Sequence, residues 1–467
     1  MTANAPPAPA ARAAGPQAKT VGVILALAVV VGTIVSLAAW VFLELIHQLQ
    51  VGVFDGLPKD LGYDTGAPWW WSLPICAAAG LIVAIVIMRL PGFGGHVPAH
   101  GLAASATQPV EVPGVLMAAI ASVGLGLVLG PEAPLLALGS GLAILAVRLA
   151  RRDAPPELVT VMAAAGSFAA MSFLFEAPVI AAVILIEASG IGGKQLPLVL
   201  LPGLLASGIG SLVSIGMGSF SGLSTSAYAI GTLSLPAFGR PTFVDFGWTI
   251  ALAIAVAAAC VAIVLLGRRV QPMVMSRPFV LIPVAGAVVS GLAIAFEQMT
   301  DKGVDQVLFS GQDALGPLTD NPGAWSVGAL GALLLVKGLA WGVSLGSFRG
   351  GPTFPAMFLG AAAGVMASHL PGFDITPAVA VGMGAAVVAV LRLPLSAVVL
   401  SSLLTAKSGL ADTPLIIVGV VVAYLVTTAL SVRLDPASVA AGDERGAPAP
   451  GATAAPGAPA ARALAPR

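Results

Sequence analysis

Charge is what this chain has least of. Its 467 residues hold 21 Lys and Arg and 21 Asp and Glu, 9% in all, where a soluble protein carries about 25%. The two signs cancel to a formal net charge of zero, so no basic face invites nucleic acid. Cysteine is nearly missing: Cys76 and Cys260 both lie in apolar runs, which reads as buried thiols rather than a disulfide. The four histidines, His47, His96, His100 and His369, form no metal-ligand spacing with Cys or acidic neighbours. No nucleophile–base spacing is visible either, so a metalloenzyme or membrane enzyme is set aside and no cofactor is expected.

Apolar sequence fills the space that charge leaves. Hydrophobic residues make up 58% of the chain and the mean hydropathy is +0.99. Apolar segments lie near 21–47, 73–90, 114–129, 134–149, 157–173, 178–189, 196–217, 243–267, 279–297, 326–345, 355–369, 376–391, 394–406 and 412–433. Many are too short for a clean crossing of a hydrocarbon core about 30 Å thick. From Pro134 to Leu149, for example, a helix is about 24 Å long. Short, Gly- and Pro-bounded pieces argue for helices that stop inside the membrane. Residues 1–20 and 437–467 are Ala/Pro-rich and read as disordered tails. The run from Val21 is too long for the apolar core of a signal peptide. Trp69, Trp70 and Trp71 read as an interfacial belt; Arg148, Arg151 and Arg152, with Arg268 and Arg269, mark cytoplasmic loops by the positive-inside rule. The stretches 218–242 and 298–325 read as loops outside the bilayer.

One pattern occurs twice. Residues 130–139 read GPEAPLLALG and residues 351–360 read GPTFPAMFLG. Proline cannot continue a helix but suits its first turn, so each motif predicts a helix start inside apolar sequence. Farther on, FEAPVIAAVILIEASG from Phe175 is matched by LRLPLSAVVLSSLLTA from Leu391. The chain therefore divides into two halves of like order, about 21–217 and 243–436. Matched breaks in two halves of a membrane protein point to a transport site.

Helix starts carry unpaired N–H groups and a partial positive charge. Several aimed at one point make an anion site without Lys or Arg, weak enough to let the ion leave. The starts expected after Gly94-Gly95-His96-Val97-Pro98, after Gly130 and after Gly351 fit that design. Glu132 is an acid at such a start. Two readings stand: a gate that occupies the anion site and leaves on protonation, or a carboxylate merely capped by free N–H groups. Thr353 holds the same place in the second repeat, so no acid is needed there structurally. Glu187 is either bonded to neighbouring backbone or a proton relay. His96 either lines the filter or is a satisfied buried imidazole. Glu176 reads as a cap, and Lys337 as a packing or pairing group.

In these segments the chain resembles the CLC family of chloride channels and proton-coupled chloride antiporters. LVLGPEAPLLALGSGLA is similar to the family's LGREGPxxxxG segment. KGLAWGVSLGSFRGGPTFPAMFLGAAAG is similar to its KxxxxxxTLGSGGSGGxFAP segment, and FEAPVIAAVILIE and LRLPLSAVVLSSLLT to two further ones. GGHVPAHGLA resembles a degraded GSGIP segment. The resemblance implies an all-helical, multi-pass subunit of the cell membrane. It would be an inverted repeat of about 18 short tilted helices over residues 21–436, with both tails cytoplasmic. It further implies a homodimer with one path per subunit for chloride or a similar small anion, with protons as a second partner. The gating glutamate falls on Glu132. The anion-binding groups fall on Gly95, His96 and Val97, on Gly130, Pro131 and Ala133, and on Gly351, Thr353 and Phe354. Three departures stand out. The family's filter serine is Gly95, its internal proton glutamate is Ala188 with only the preceding Glu187 kept, and its inner tyrosine is missing near Leu434 or Asp435. These losses favour channel-like or loosely coupled movement over strict exchange.

Overall fold

The computed structural model describes residues 18–64, 66–102, 105–190, 196–221 and 231–434, with backbone alone at 18–20 and 221. The two expected tails lie outside them, save that the first helix already begins at Ala18. The helices are α1 (Ala18–Val51), α2 (Leu57–Asp60), α3 (Ser72–Arg89), α4 (Val112–Gly124), α5 (Glu132–Ala150), α6 (Pro156–Phe175), α7 (Pro178–Ser189) and α8 (Leu196–Ser221) in the first half. The second half holds α9 (Phe243–Ser276), α10 (Pro278–Thr300), α11 (Gln312–Asp320), α12 (Val327–Ser347), α13 (Thr353–Ala367), α14 (Ile375–Leu391), α15 (Pro394–Leu404) and α16 (Thr413–Leu434). Among the described residues nine helices are long and apolar enough to cross a membrane, and α4, α7, α13, α14 and α15 are shorter. This is an all-α, multi-pass membrane protein.

Composition explains which helices face lipid. On α1, Val30, Ile34, Leu37, Val41 and Leu45 recur at three- and four-residue spacing and are 42–56% exposed, an apolar stripe that hydrocarbon covers at no cost. The helix α14 is the reverse: every residue from Thr376 to Leu391 is buried. Two expectations are corrected. The stretch 298–325 is not all loop, because α11 occupies Gln312–Asp320. The helix expected after Val97 is a single 3₁₀ turn, Pro98–His100. One turn aligns too few peptide dipoles to act as a helix end.

The halves are related by inversion. Gly130 and Gly351 exchange backbone hydrogen bonds as an isolated antiparallel bridge, at 2.8 and 2.6 Å. From it α5 and α13 depart in opposite directions. The last turn of α5 lies by Arg148, which reaches Gln108, in the loop that follows Ala99 and His100. Those two accept or share bonds with Arg268 and Gln271, late in α9. The end of α13 leads to Pro371, whose carbonyl accepts from Trp248 in the first turns of α9. A 34-residue helix is about 50 Å long, so the two destinations lie on opposite faces of the bundle. The later repeat segments match as well: Glu176 ends α6 and Arg392 ends α14, both left-handed (φ 50° and 58°), each two residues before a helix-opening proline.

Small residues let the central helices touch backbone to backbone. A Cβ on Gly139 would meet the Gly166 carbonyl, and one on Gly360 would meet the Gly382 carbonyl. Gly139 and Gly360 are the closing glycines of the repeated motif, so each half uses the same glycine to seat α5 on α6 and α13 on α14. We expect Gly360→Val to destabilise the protein by about 3 kcal/mol, the upper end of the usual cost of overpacking, because neither backbone can retreat. Gly291→Val, where a Cβ meets nothing within 4 Å, should change little; thermal melts of the purified protein in detergent compare the two.

Candidate functional site

Glu132 opens α5 at the centre of the bundle and is fully buried. Its Oε1 accepts from the backbone N–H of Thr353, the first residue of α13, at 2.5 Å. Its Oε2 has no hydrogen-bond partner. The acid of one repeat thus lies on the helix start of the other, which is where an anion gains most from the unpaired N–H groups and the dipole. The glycines of the bridge are required for this: a Cβ on Gly130 or Gly351 would overlap the Glu132 side chain. The Phe354 ring packs on Phe175 at 5.6 Å between centroids.

Two cavities approach this carboxylate from opposite ends of α4. The first, of about 230 Å³, touches Glu111 and Val115 at the start of α4 and reaches Ala133 and Pro134. It opens beside Ser105 and Ala106, which are exposed. The second, of about 500 Å³, touches Val123 at the end of α4 and reaches Pro131. Glu132 is the residue between them. The second cavity is largely acidic: Asp55, Glu297, Asp305 and Asp313 line it, with His47. Burial pushes the Asp313 carboxyl above its ordinary range, and the nearby His47 offsets only part of that rise.

The other expected residues divide. Thr353, Phe354 and Ala133 stand beside the carboxylate or the first cavity. Gly95 and His96 line the first cavity, while Val97 is half-buried next to them. The backbone amides expected to face an anion are fewer than the motifs suggest. Those of Gly130 and Gly351 are spent on the bridge, that of Gly95 bonds the Gly92 carbonyl at 2.8 Å, and Pro131 has no N–H to give. The tyrosines offer no substitute among the described residues, since Tyr63 and Tyr424 are both exposed; Asp435 lies outside them.

Glu187 lies at the start of α15 rather than beside Glu132. Its Oε1 accepts from the Leu395 N–H at 2.9 Å, and its Oε2 from the Ser396 N–H and hydroxyl at 2.7 and 2.6 Å. It caps α15 across the repeats, just as Glu132 meets α13. Glu176 is no N-cap; it ends α6 and accepts from the Ser214 hydroxyl at 3.2 Å. Lys337 is fully buried, with Nζ within 3.3 Å of the carbonyls of Gln306, Val307, Leu308 and Phe309 and 4.6 Å from the centroid of the Phe358 ring. It ties down the wall of the second cavity and has no N–H left for an anion. Arg349, at 5% exposure, lines the first cavity, a placement the motif alone did not signal.

Comparison with known proteins places the chain in a family. Residues 79–428 match the family model described as voltage gated chloride channel, and the chain belongs to that family. It is 30% identical over 366 residues to the "Putative ion-transport protein YfeO" of Escherichia fergusonii, covering 76% of this chain and 82% of the relative. The protein of the same name from Escherichia coli strain K12 / DH10B matches over the same extent. The fold is shared with a slow cyanobacterial Cl−/H+ antiporter (TM-score 0.70, 18% identity, 89% of this chain and 98% of that one) and a CLC-type fluoride/proton antiporter (TM-score 0.68, 16% identity, 89% and 98%).

The bonding of Glu187 separates a cap from a relay. Glu187→Ala removes three bonds to α15 and should cost about 2–3 kcal/mol; Glu187→Gln, which keeps one acceptor oxygen, should recover part of it. If Glu187 only caps, neither variant changes the ratio of proton to anion movement in proteoliposomes; a change in both with stability intact makes it a relay.

Proposed function

We propose that this protein passes chloride or a similar small anion across the membrane, with Glu132 as the gate. The observation that carries the reading is the position of Glu132: a carboxylate seated on the α13 helix start, between two cavities that reach toward opposite ends of α4. While ionised, the side chain holds the place a permeating anion needs and is itself held by the Thr353 N–H. Protonation removes the charge that binds it there, so the carboxyl swings out and an anion takes its place at the Thr353 and Phe354 amides, with Gly95, His96 and Val97 on the approach from the first cavity. Flux should therefore rise as pH falls.

Movement is channel-like or loosely proton-coupled on this reading. Ala188 stands where an internal acid would pass protons on, and Glu187 is engaged on α15. The subunit would act in a homodimer with one path each.

The test is chloride flux from proteoliposomes, with proton movement recorded alongside. In wild type, flux should climb severalfold between about pH 7.5 and pH 5, where carboxyl groups begin to protonate. In Glu132→Gln it should be high throughout and independent of pH. Persistent pH dependence in that variant removes Glu132 as the gate. Uphill proton movement driven by a chloride gradient would replace the channel reading with coupled exchange.

A further inference from the structure

We propose that the first cavity is an anion-holding subsite whose fixed charge is the guanidinium of Arg349; this rests on the anion-transport reading above. Arg349 sits in the extended turn between α12 and α13, and its Cγ packs over Gly94, where a Cβ would come within 3.3 Å. Its Nε donates to the Phe93 carbonyl at 3.2 Å and its Nη1 to the Phe348 carbonyl at 3.1 Å. A guanidinium has five N–H donors in a rigid fork. Nη2 makes no hydrogen bond to the described protein, nor is it among the sealed, unsatisfied atoms; the open space beside the side chain is the cavity, which Arg349 and Gly350 line.

Arg349 makes no ion pair with any described carboxylate, and Arg does not shed its proton. A buried, unpaired charge is costly in a low-dielectric interior. Two carbonyl dipoles offset part of that cost, and a mobile anion in the adjoining cavity offsets the rest. The same wall has lost a donor: Gly95 carries no hydroxyl, and its amide is bonded to Gly92. Arg349, packed against the same loop at Phe93 and Gly94, supplies the N–H donors that this wall lacks. The cavity also carries one acid, Glu111, whose Oε2 accepts from the Gln108 N–H at 3.1 Å; it lowers the local potential and keeps the anion exchangeable. The ligand is a small monovalent anion held on its way to the gate.

Arg349→Lys and Arg349→Gln both lose the fork to Phe93 and Phe348, but only Lys keeps the charge. Chloride binding to the purified protein, measured by calorimetry, and the half-saturating chloride concentration for flux are read on both. Gln should weaken each by about tenfold, as expected for loss of one charge-assisted bond, while Lys stays near wild type. Equal behaviour of Lys and Gln overturns the proposal and leaves Arg349 a structural tie. Wild type that binds chloride but shows no flux, with binding lost in Gln alone, keeps the subsite and overturns the transport reading. If Gln does not fold, Glu111→Gln decides: it should tighten chloride binding severalfold, and unchanged binding overturns the proposal.

Discussion

The constraint on which the rest depends is the meeting of two helix starts. The helices α5 and α13 begin at a two-residue bridge and leave it in opposite directions, so two partially positive ends face each other in a region without solvent. That arrangement is unfavourable unless negative charge lies between them. Glu132 supplies it from within the chain. The glycines on either side of the bridge, and those that let α6 and α14 close over the helices behind it, hold the two starts close enough for one carboxylate to serve both.

Two other ionisable side chains, the half-buried Glu187 and the buried Lys337, are handled in the same way. Glu187 is answered by the start of α15, and Lys337 by four carbonyls of one loop. Each is a charge met by backbone dipoles rather than by an opposite side chain. A membrane protein with so few ionisable residues gains from this, because a backbone group adds no second charge to desolvate. Arg349 is answered only in part, and it is also the charge with a cavity at its side.

Much of this was legible in the sequence because it follows from proline and glycine. The repeated Gly-Pro-x-x-Pro motif marks both helix starts, and the FEAP and LRLP segments mark the breaks at Glu176 and Arg392. Composition alone indicates the membrane. The supply of backbone amides was not legible. Gly95, Gly130 and Gly351 look like open donors in a one-dimensional reading, yet Gly95 is spent in a local turn on Gly92 and the other two on each other across 221 positions. The start after Val97 failed for a different reason: Pro98 is a sound helix opener, but Gly101, with φ at 87°, ends the turn after three residues. Lys337 and Arg349 were visible as residues, but what each faces is set by chain from more than 25 positions away.

On the proposed anion-transport reading, a basic residue beside the path looks at odds with rapid release, and the geometry resolves the conflict. Arg349 is not placed between Glu132 and Thr353, where a full positive charge would compete with the carboxylate for the gate. It stands on the wall of the first cavity, with two of its nitrogens turned toward carbonyl oxygens that draw off part of its field. The proposed gate, Glu132, is met by a backbone N–H rather than by a basic side chain. On this reading strong charge acts where the ion is collected, and weak charge where it must pass. The opposite cavity carries Asp55, Glu297, Asp305 and Asp313, with His47 beside them, so an anion leaving Glu132 on that side would meet mainly carboxylates, which do not detain it.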